Sequence, residues 1–200
     1  MKLISDAIFG SGISVPGGED ISVLCDQYGF PYYKGSTFKG VFREELMRFL
    51  GWTMDSEKDI EKKLSQLLGK SGDTIYDSSH KIVFSDFMLS NAVRKQILNE
   101  IEPEVAGILD TGINYSEMIT DALSHTRTFT KLDENGMAQE GSLRNCRCVN
   151  KNLIFYSDMI CDKEDLTLIE DVLSMIKWIG SMRNRGFGKV TISVDAKGDC

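Results

Sequence analysis

The order of its apolar segments constrains this 200-residue chain most. Residues 1–9 (MKLISDAIF), 81–90 (KIVFSDFMLS), 152–160 (NLIFYSDMI) and 187–196 (FGKVTISVDA) are short apolar runs bounded by polar residues, which predicts four strands. Between the first two, Phe38, Val41, Phe42, Leu46, Phe49 and Leu50 recur at helical spacing. That predicts a helix over 36–50, with Ser36 or Thr37 as N-cap and Gly51 as its stop. DLTLIEDVLSMIKWIGSM, 165–182, predicts a second amphipathic helix between the last two strands.

The resulting order is β-α-β, an insertion, then β-α-β. It predicts an α+β fold compatible with a ferredoxin-like, RNA-recognition-like β-α-β-β-α-β core. Two insertions interrupt it. The first, at about 52–78, carries a helical, acidic stretch, DSEKDIEKKLSQLLG at 55–69. The second, at about 110–151, predicts a hairpin whose tip is the ENG triplet of 134–136. NAVRKQILNEI and SEMITDALS, within 91–125, suit short helices. No fixed-period repeat and no linker divides residues 1–200, so a single domain is expected.

Bulk composition removes several function classes. With 42 % hydrophobic residues and three prolines the chain is expected to be globular rather than disordered. No run of about 18 apolar residues suggests a membrane span. The N-terminal apolar run contains Asp6 and no small-residue cleavage site, so it reads as a strand rather than a signal peptide. Cys25, Cys146, Cys148, Cys161 and Cys200 make an odd set at irregular spacing. Free thiols in a reducing cytoplasm fit that better than disulfides, and no zinc knuckle pattern accompanies the CxC.

The net charge of −7 argues against polyanion binding by the whole surface, but the cations are clustered. PYYKGSTFKG, 31–40, opens the first helix with Lys34, Gly35, Ser36, Thr37, Lys39 and Gly40; Arg43 follows, and no acid appears before Glu44. Free amides at a helix N-terminus and its dipole attract phosphate. A capped helix with surface lysines accounts for the same residues. IGSMRNRGFGKV, 179–190, carries Arg183, Arg185 and Lys189 among three glycines. It suits arginine-fork contacts to phosphate, or a tight helix-to-strand turn with solvated arginines. It matches only part of the RNA-recognition RNP1 pattern, which excludes a standard motif of that kind. The inserted hairpin adds Arg127, Phe129, Lys131, Arg144, Arg147 and Lys151, a mix of cation and aromatic found on single-strand-binding surfaces as well as on hairpins that contact proteins. Three such clusters on an acidic chain favour a local polyanion groove.

Other patterns carry nothing. FGSGISVPGG, 9–18, lacks the GK[ST] of a P-loop and does not lead directly into a helix. His80 and His125 stand alone in the sequence, so no histidine-based triad is supported. Trp52 and Trp178 are expected in the core.

GSGISVPGGED, then DQYGFPYYKGSTFKGVFREEL, KIVFSDFMLS, TRTFTKLDENGMAQEGSLR and IGSMRNRGFGKV follow one another from about residue 8 to 192. In that order they resemble the RAMP superfamily of CRISPR-associated proteins, most of all the repeated backbone subunit of type III effector complexes. The resemblance implies a ferredoxin-like core with an inserted thumb hairpin, stacked with copies of itself and other RAMP-type subunits along a guide RNA. It implies that Lys34, Ser36, Thr37, Lys39, Arg43, Arg127, Arg144, Arg183, Arg185 and Lys189 bind RNA. It implies an endoribonuclease that cuts complementary single-stranded target RNA, with Asp20, six residues before Asp26, as the catalytic acid and Glu19 as the alternative. A divalent metal ion, Mg²⁺, would assist cleavage; no metal-ligating residues are assigned. A non-catalytic guide-binding or capping subunit, or an unrelated ferredoxin-like binding domain, are the alternatives.

Overall fold

The fold is that of a computed structural model, which describes residues 1–12, 19–69, 82–106, 114–131 and 133–195. The glycines at 17 and 18, His80, Cys200, the end of the first insertion and the start of the second lie outside the described residues. The elements run β1 (Lys2–Leu3), α1 (Gly35–Thr53), α2 (Glu57–Leu68), β2 (Val83–Phe84), β3 (Met88–Leu89), α3 (Asn91–Ala106), α4 (Tyr115–Leu123), β4 (Ser124–Phe129), β5 (Arg144–Val149), β6 (Phe155–Tyr156), β7 (Met159–Ile160), α5 (Leu166–Met175) and β8 (Val190–Thr191). The molecule is thus a mixed helix-and-strand protein built on small antiparallel sheets.

Every expected strand is present but shorter or broken. β1 pairs with β8, Leu3 opposite Val190. On its other side Lys2 bridges Ile154, and the Leu3 N–H donates to the Leu153 carbonyl at 3.0 Å. β2 pairs with β7, and β3 with β6. The 81–90 run breaks between β2 and β3, where Asp86 turns toward α1 and its carboxylate accepts from the Gly35 N–H at 2.8 Å.

The expected 165–182 helix stops at Met175. Residues 177–179 are captured instead as an extended partner of 188–190: the Val190 N–H donates to Lys177 at 2.9 Å and the Ile179 N–H to Gly188 at 2.9 Å. Tertiary hydrogen bonding overrides helix propensity there. Helix α1 continues through Gly51 to Thr53, and α2 ends at Gly69, whose φ is +75°. Both short helices of the 91–125 region form, as α3 and α4.

Side-chain alternation along the first segment divides the interior in two. Leu3, Ala7 and Phe9 face the main core, with Phe38, Phe42, Leu46 and Leu50 of α1, Leu64 and Leu67 of α2, and Ile169 and Val172 of α5. Phe38 lies 4.5 Å from Phe87 and 5.0 Å from Phe84, ring centre to ring centre. Ile8 faces the other way, into a small second core with Cys146, Cys148 and Phe187. β5 therefore contributes to both: Val149 joins the main core, while Cys146 and Cys148 face the second. Trp52 departs from expectation: it is 71 % exposed at the end of α1, and Trp178 is half-buried under the Lys189 ammonium.

The cysteines are free thiols among the described residues, and Cys146 and Cys148 are fully buried. Burial, then the nearby Asp6 charge, pushes the Cys148 thiol up to about 12. At pH 8 its alkylation by iodoacetamide is expected to be on the order of 10³-fold slower than in the urea-unfolded chain, since only the thiolate reacts. Peptide mass spectrometry of a labelling time course reads this directly. Equal rates would mean that the second core is open.

Candidate nucleic-acid interface

The start of α1 is built for close backbone packing. Lys34 occupies the N-cap position in an extended conformation without a side-chain cap, and helical geometry begins at Gly35. Ser36 and Thr37, expected as caps, are exposed within the first turn; Asp86 from the β2–β3 break caps the helix instead. A Cβ on Gly35 would collide with the backbones of Phe84 and Ser85, so only glycine fits. Lys34 and Gly40 are also exposed, and Lys39 is half-buried. Burial, and then the Arg43 charge one turn on, push the Lys39 ammonium below its ordinary value.

Arg43 has a partner the sequence did not suggest. Its Nη2 donates to the Gly69 carbonyl at 2.7 Å and to Leu68 at 3.4 Å. The guanidinium closes the C-terminus of α2, where the helix dipole favours a cation.

The 180–189 loop reaches the same region. Gly180 (φ +73°) packs against the Ile8 backbone, and a Cβ on Gly188 (φ +74°) would overlap the Ile179 carbonyl. Arg183–Arg185 form one short turn between Met182 and Gly186, both left-handed, and both arginines are exposed. Buried Tyr33, two residues before α1, packs on Phe9 at 4.9 Å, next to Ile8, whose carbonyl accepts from the Ser181 N–H at 3.1 Å, so the two basic segments meet there. Burial pushes the Tyr33 phenol up, while a hydrogen bond from the Gly180 backbone and the Arg183 charge pull it down.

The hairpin meets the other side of this loop. Phe129 of β4 and Phe187 stack edge to face at 5.6 Å. The Arg127 guanidinium lies 5.5 Å over Phe187, and that of Arg185 5.9 Å over Phe129. Arg144 is exposed; burial, then the Asp20 charge, pushes the Cys146 thiol up, and the Arg144 and Arg185 charges pull it down. Lys189 is exposed beside Trp178.

Both candidate catalytic acids sit against this hairpin. Glu19 is half-buried and accepts from Arg147 Nε at 2.5 Å and from Thr126 Oγ1 at 3.2 Å. Asp20 is exposed, and one of its carboxylate oxygens accepts from the Asn145 N–H at 2.7 Å. Among the described residues no group of three His, Cys, Asp or Glu side chains is placed to hold a metal ion. With Glu19 committed to Arg147 and one Asp20 oxygen to Asn145, the described residues do not fit a divalent cation held by protein side chains alone.

Several structural anchors escape a linear reading. Asp26 accepts from the Tyr28 and Phe30 amides and pairs with Arg94 at 2.5 Å, so it holds its turn to α3. Asp6 accepts from the Lys151 N–H at 3.0 Å and faces His125 at 3.6 Å and Arg127 at 3.9 Å. His125 also meets Asn150 through Nδ1 at 2.6 Å. The available signals were an acid inside an apolar strand, at Asp6 and Asp86, and a cation between two buried cysteines, at Arg147.

Comparison with known proteins adds the family. No curated protein matches the chain. A chain of the cryo-EM structure of type III-B Cmr-beta bound to cognate target RNA has a similar fold, at 15 % identity, over 95 % of this chain and 93 % of that one, with a TM-score of 0.63. The apo state of type III-B Cmr-beta gives the same identity, coverage and TM-score. Cmr6 from Pyrococcus furiosus is a more distant likeness, at 14 % identity and a TM-score of 0.39, over 82 % of this chain and 83 % of that one. The sequence pattern of the RAMP superfamily matches residues 1–191. The chain belongs to the RAMP superfamily.

Proposed function

We propose that this protein is an RNA-binding backbone subunit of a type III CRISPR effector complex, which holds guide RNA and cuts complementary target RNA. One observation carries the reading: basic, glycine-rich segments from opposite ends of the chain meet across residues 8–9, Tyr33 packing on Phe9 at 4.9 Å and the Ser181 N–H donating to the Ile8 carbonyl at 3.1 Å, and the arginine-bearing hairpin abuts the same loop through Phe129 and Phe187. The nucleic-acid-bound complex among the similar folds supports it. The backbone path, 188–191 beside 1–4, then 152–160, then 83–89, supports a ferredoxin-like core with β4–β5 as the thumb.

In this reading exposed Lys34, Ser36, Thr37, Arg183, Arg185 and Lys189, with half-buried Lys39, contact the guide backbone. Arg43 adds charge from behind, and Arg127 and Arg144 line the hairpin side. Other RAMP-type subunits and further copies of this chain extend the assembly along the guide. No helix among the described residues is long and apolar enough to cross a membrane, and a cytoplasmic ribonucleoprotein is the proposed setting.

For cleavage, the Asp20 carboxylate takes the proton of a target 2′-hydroxyl. The freed oxygen attacks the adjacent phosphorus, the bond to the 5′-oxygen breaks, and that oxygen takes a proton from solvent. The protein's part is to hold a splayed nucleotide in line. The Mg²⁺ expected from the family would assist by stabilising charge at the phosphate, and no side chain among the described residues is assigned to hold it.

The test is the assembled complex with labelled complementary RNA. Asp20→Asn is expected to slow cutting at least 100-fold while leaving guide content unchanged. Unchanged cutting would remove Asp20 from the reaction. A second reading, a non-catalytic guide-binding or capping subunit, is favoured by the engagement of Glu19 and Asp20 with the hairpin. It predicts intact RNA with the unmodified chain.

A further inference from the structure

We propose that Arg147 is a positioning residue that fixes Asp20 to the β4–β5 hairpin, so that the placement of the acid follows the hairpin. The inference rests on the catalytic reading of Asp20 above.

The geometry begins with the backbone. Residues 19–21 lie along β5 as a short added strand, Ile21 bridging Cys146 in parallel. The Arg147 N–H donates to the Ile21 carbonyl at 2.9 Å, and the Asp20 N–H to the Asn145 carbonyl at 2.8 Å. The Asn145 N–H returns a bond to the Asp20 carboxylate at 2.7 Å. Asp20 is therefore held on both its backbone and its side chain by a single hairpin residue.

Arg147 locks this arrangement through its side chain. Its side chain is only 20 % exposed and reaches three elements. Nε donates to Glu19 at 2.5 Å; Nη1 donates to Asp121 of α4 at 2.5 Å and to Ser124 Oγ at 3.3 Å. Thr126 of β4 adds a bond to the same Glu19 oxygen at 3.2 Å. A planar guanidinium with five donors in a fixed fork can bridge two carboxylates at once; a lysine cannot hold both in fixed directions. Removing it leaves the half-buried Glu19 without its cation and frees the first residue of the added strand.

The consequence is mechanical. A hairpin that inserts beside a guide–target duplex carries the cutting acid with it, so hairpin engagement and acid placement become one event. A displacement of about 1 Å at a reacting group costs on the order of 10²-fold in rate.

Two readouts test this separately. Hydrogen exchange on the full chain follows the Asp20 and Ile21 amides. Arg147→Ala and Glu19→Ala are each expected to speed exchange there at least 10-fold, and Arg147→Lys to fall between Arg147→Ala and the unmodified chain. Unaltered exchange in both alanine variants would overturn the tether. In the assembled complex, Arg147→Ala is expected to lower the single-turnover cutting rate at least 30-fold. Guide content is expected to stay close to that of the unmodified complex, and the melting temperature to fall because Glu19 and Asp121 lose their shared cation. At a temperature where both complexes remain folded, target affinity is expected to be retained and the cutting rate to recover in part in Arg147→Lys. If Asp20→Asn abolishes cutting but Arg147→Ala does not slow it, the positioning role is wrong. If Asp20→Asn leaves cutting intact, the catalytic reading and the positioning role fall together, and the exchange data alone decide whether the tether exists.

Discussion

Gly188→Ala is expected to lower the melting temperature of this protein by about 8–16 °C, whereas Gly186→Ala, two residues away, lowers it by only a few degrees. Both glycines have left-handed backbones, φ +74° and +86°. An alanine in that region costs about 1–2 kcal/mol wherever it stands. The positions differ in space. A Cβ on Gly186 meets nothing within 4 Å, while a Cβ on Gly188 would overlap the backbone carbonyl of Ile179. Backbone cannot rotate aside as a side-chain end can, so the two strands must part. That weakens the Ile179 N–H bond to Gly188 at 2.9 Å, the Gly188 N–H bond to Asp6 at 2.7 Å, and the Val190 N–H bond to Lys177 at 2.9 Å. At about 1 kcal/mol net for each, the total loss is about 4 kcal/mol. Paired thermal melts decide the matter. Equal shifts for the two variants would show that the close approach at Gly188 is absent.

This contrast shows what can be read from a linear sequence and what cannot. The helix over 36–50, the acidic helix after it and the hairpin tip at Asn135–Gly136 were legible because each depends on neighbours within a few residues. Apolar spacing decides the helices. Asp133 accepting from the Asn135 and Met137 amides decides the turn, with Gly136 at φ +78°. The early end of α5 at Met175 was not legible, since it is set by residues 177–179 pairing with a strand that follows. The same holds for the cap of α1. Ser36 and Thr37 have the right chemistry for it, but Asp86, fifty-one residues on, occupies the position. Trp52 misled because tryptophan is usually sequestered, whereas its place near the end of α1 leaves it outside the core.

The candidate interface was legible as composition and illegible as pairing. Clusters of Lys, Arg and Gly are visible in any printed sequence, and three of them on an acidic chain point to a bound polyanion. Which cations are available to a ligand depends on partners far away. Arg43 is turned to the end of α2, and Arg147 to Glu19 and Asp121, while Arg183 and Arg185 stand exposed on a glycine-framed turn. Counting charges overestimates the contact set; assigning each charge its partner corrects it.

That distinction has a measurable form. For the purified chain binding a labelled single-stranded RNA, the double variant Lys39→Gln with Arg185→Gln is expected to reduce affinity on the order of 100-fold at 0.15 M salt, about 3 kcal/mol for two charge-assisted contacts. The slope of log affinity against log salt should flatten by about 1.4, since each phosphate contact to a single strand contributes about 0.7. Lys63→Gln serves as the comparison, because Lys63 pairs with Asp165 at 3.3 Å and is expected to leave the slope unchanged. Arg43→Gln is expected to lower the melting temperature more than the slope, since it removes the bonds to Gly69 and Leu68. Lys39 adds a pH signature. Burial and Arg43 hold its free-state pKa below the ordinary lysine value, and a phosphate beside it raises that pKa again. Binding therefore takes up a proton once the pH nears the free-state value, and affinity falls as pH rises through it. Lys39→Gln should abolish that fall while the rest of the alkaline profile is retained. A double variant that keeps the full salt slope would place the RNA elsewhere on the molecule, and the convergence of the two basic segments at Tyr33 would then serve packing alone.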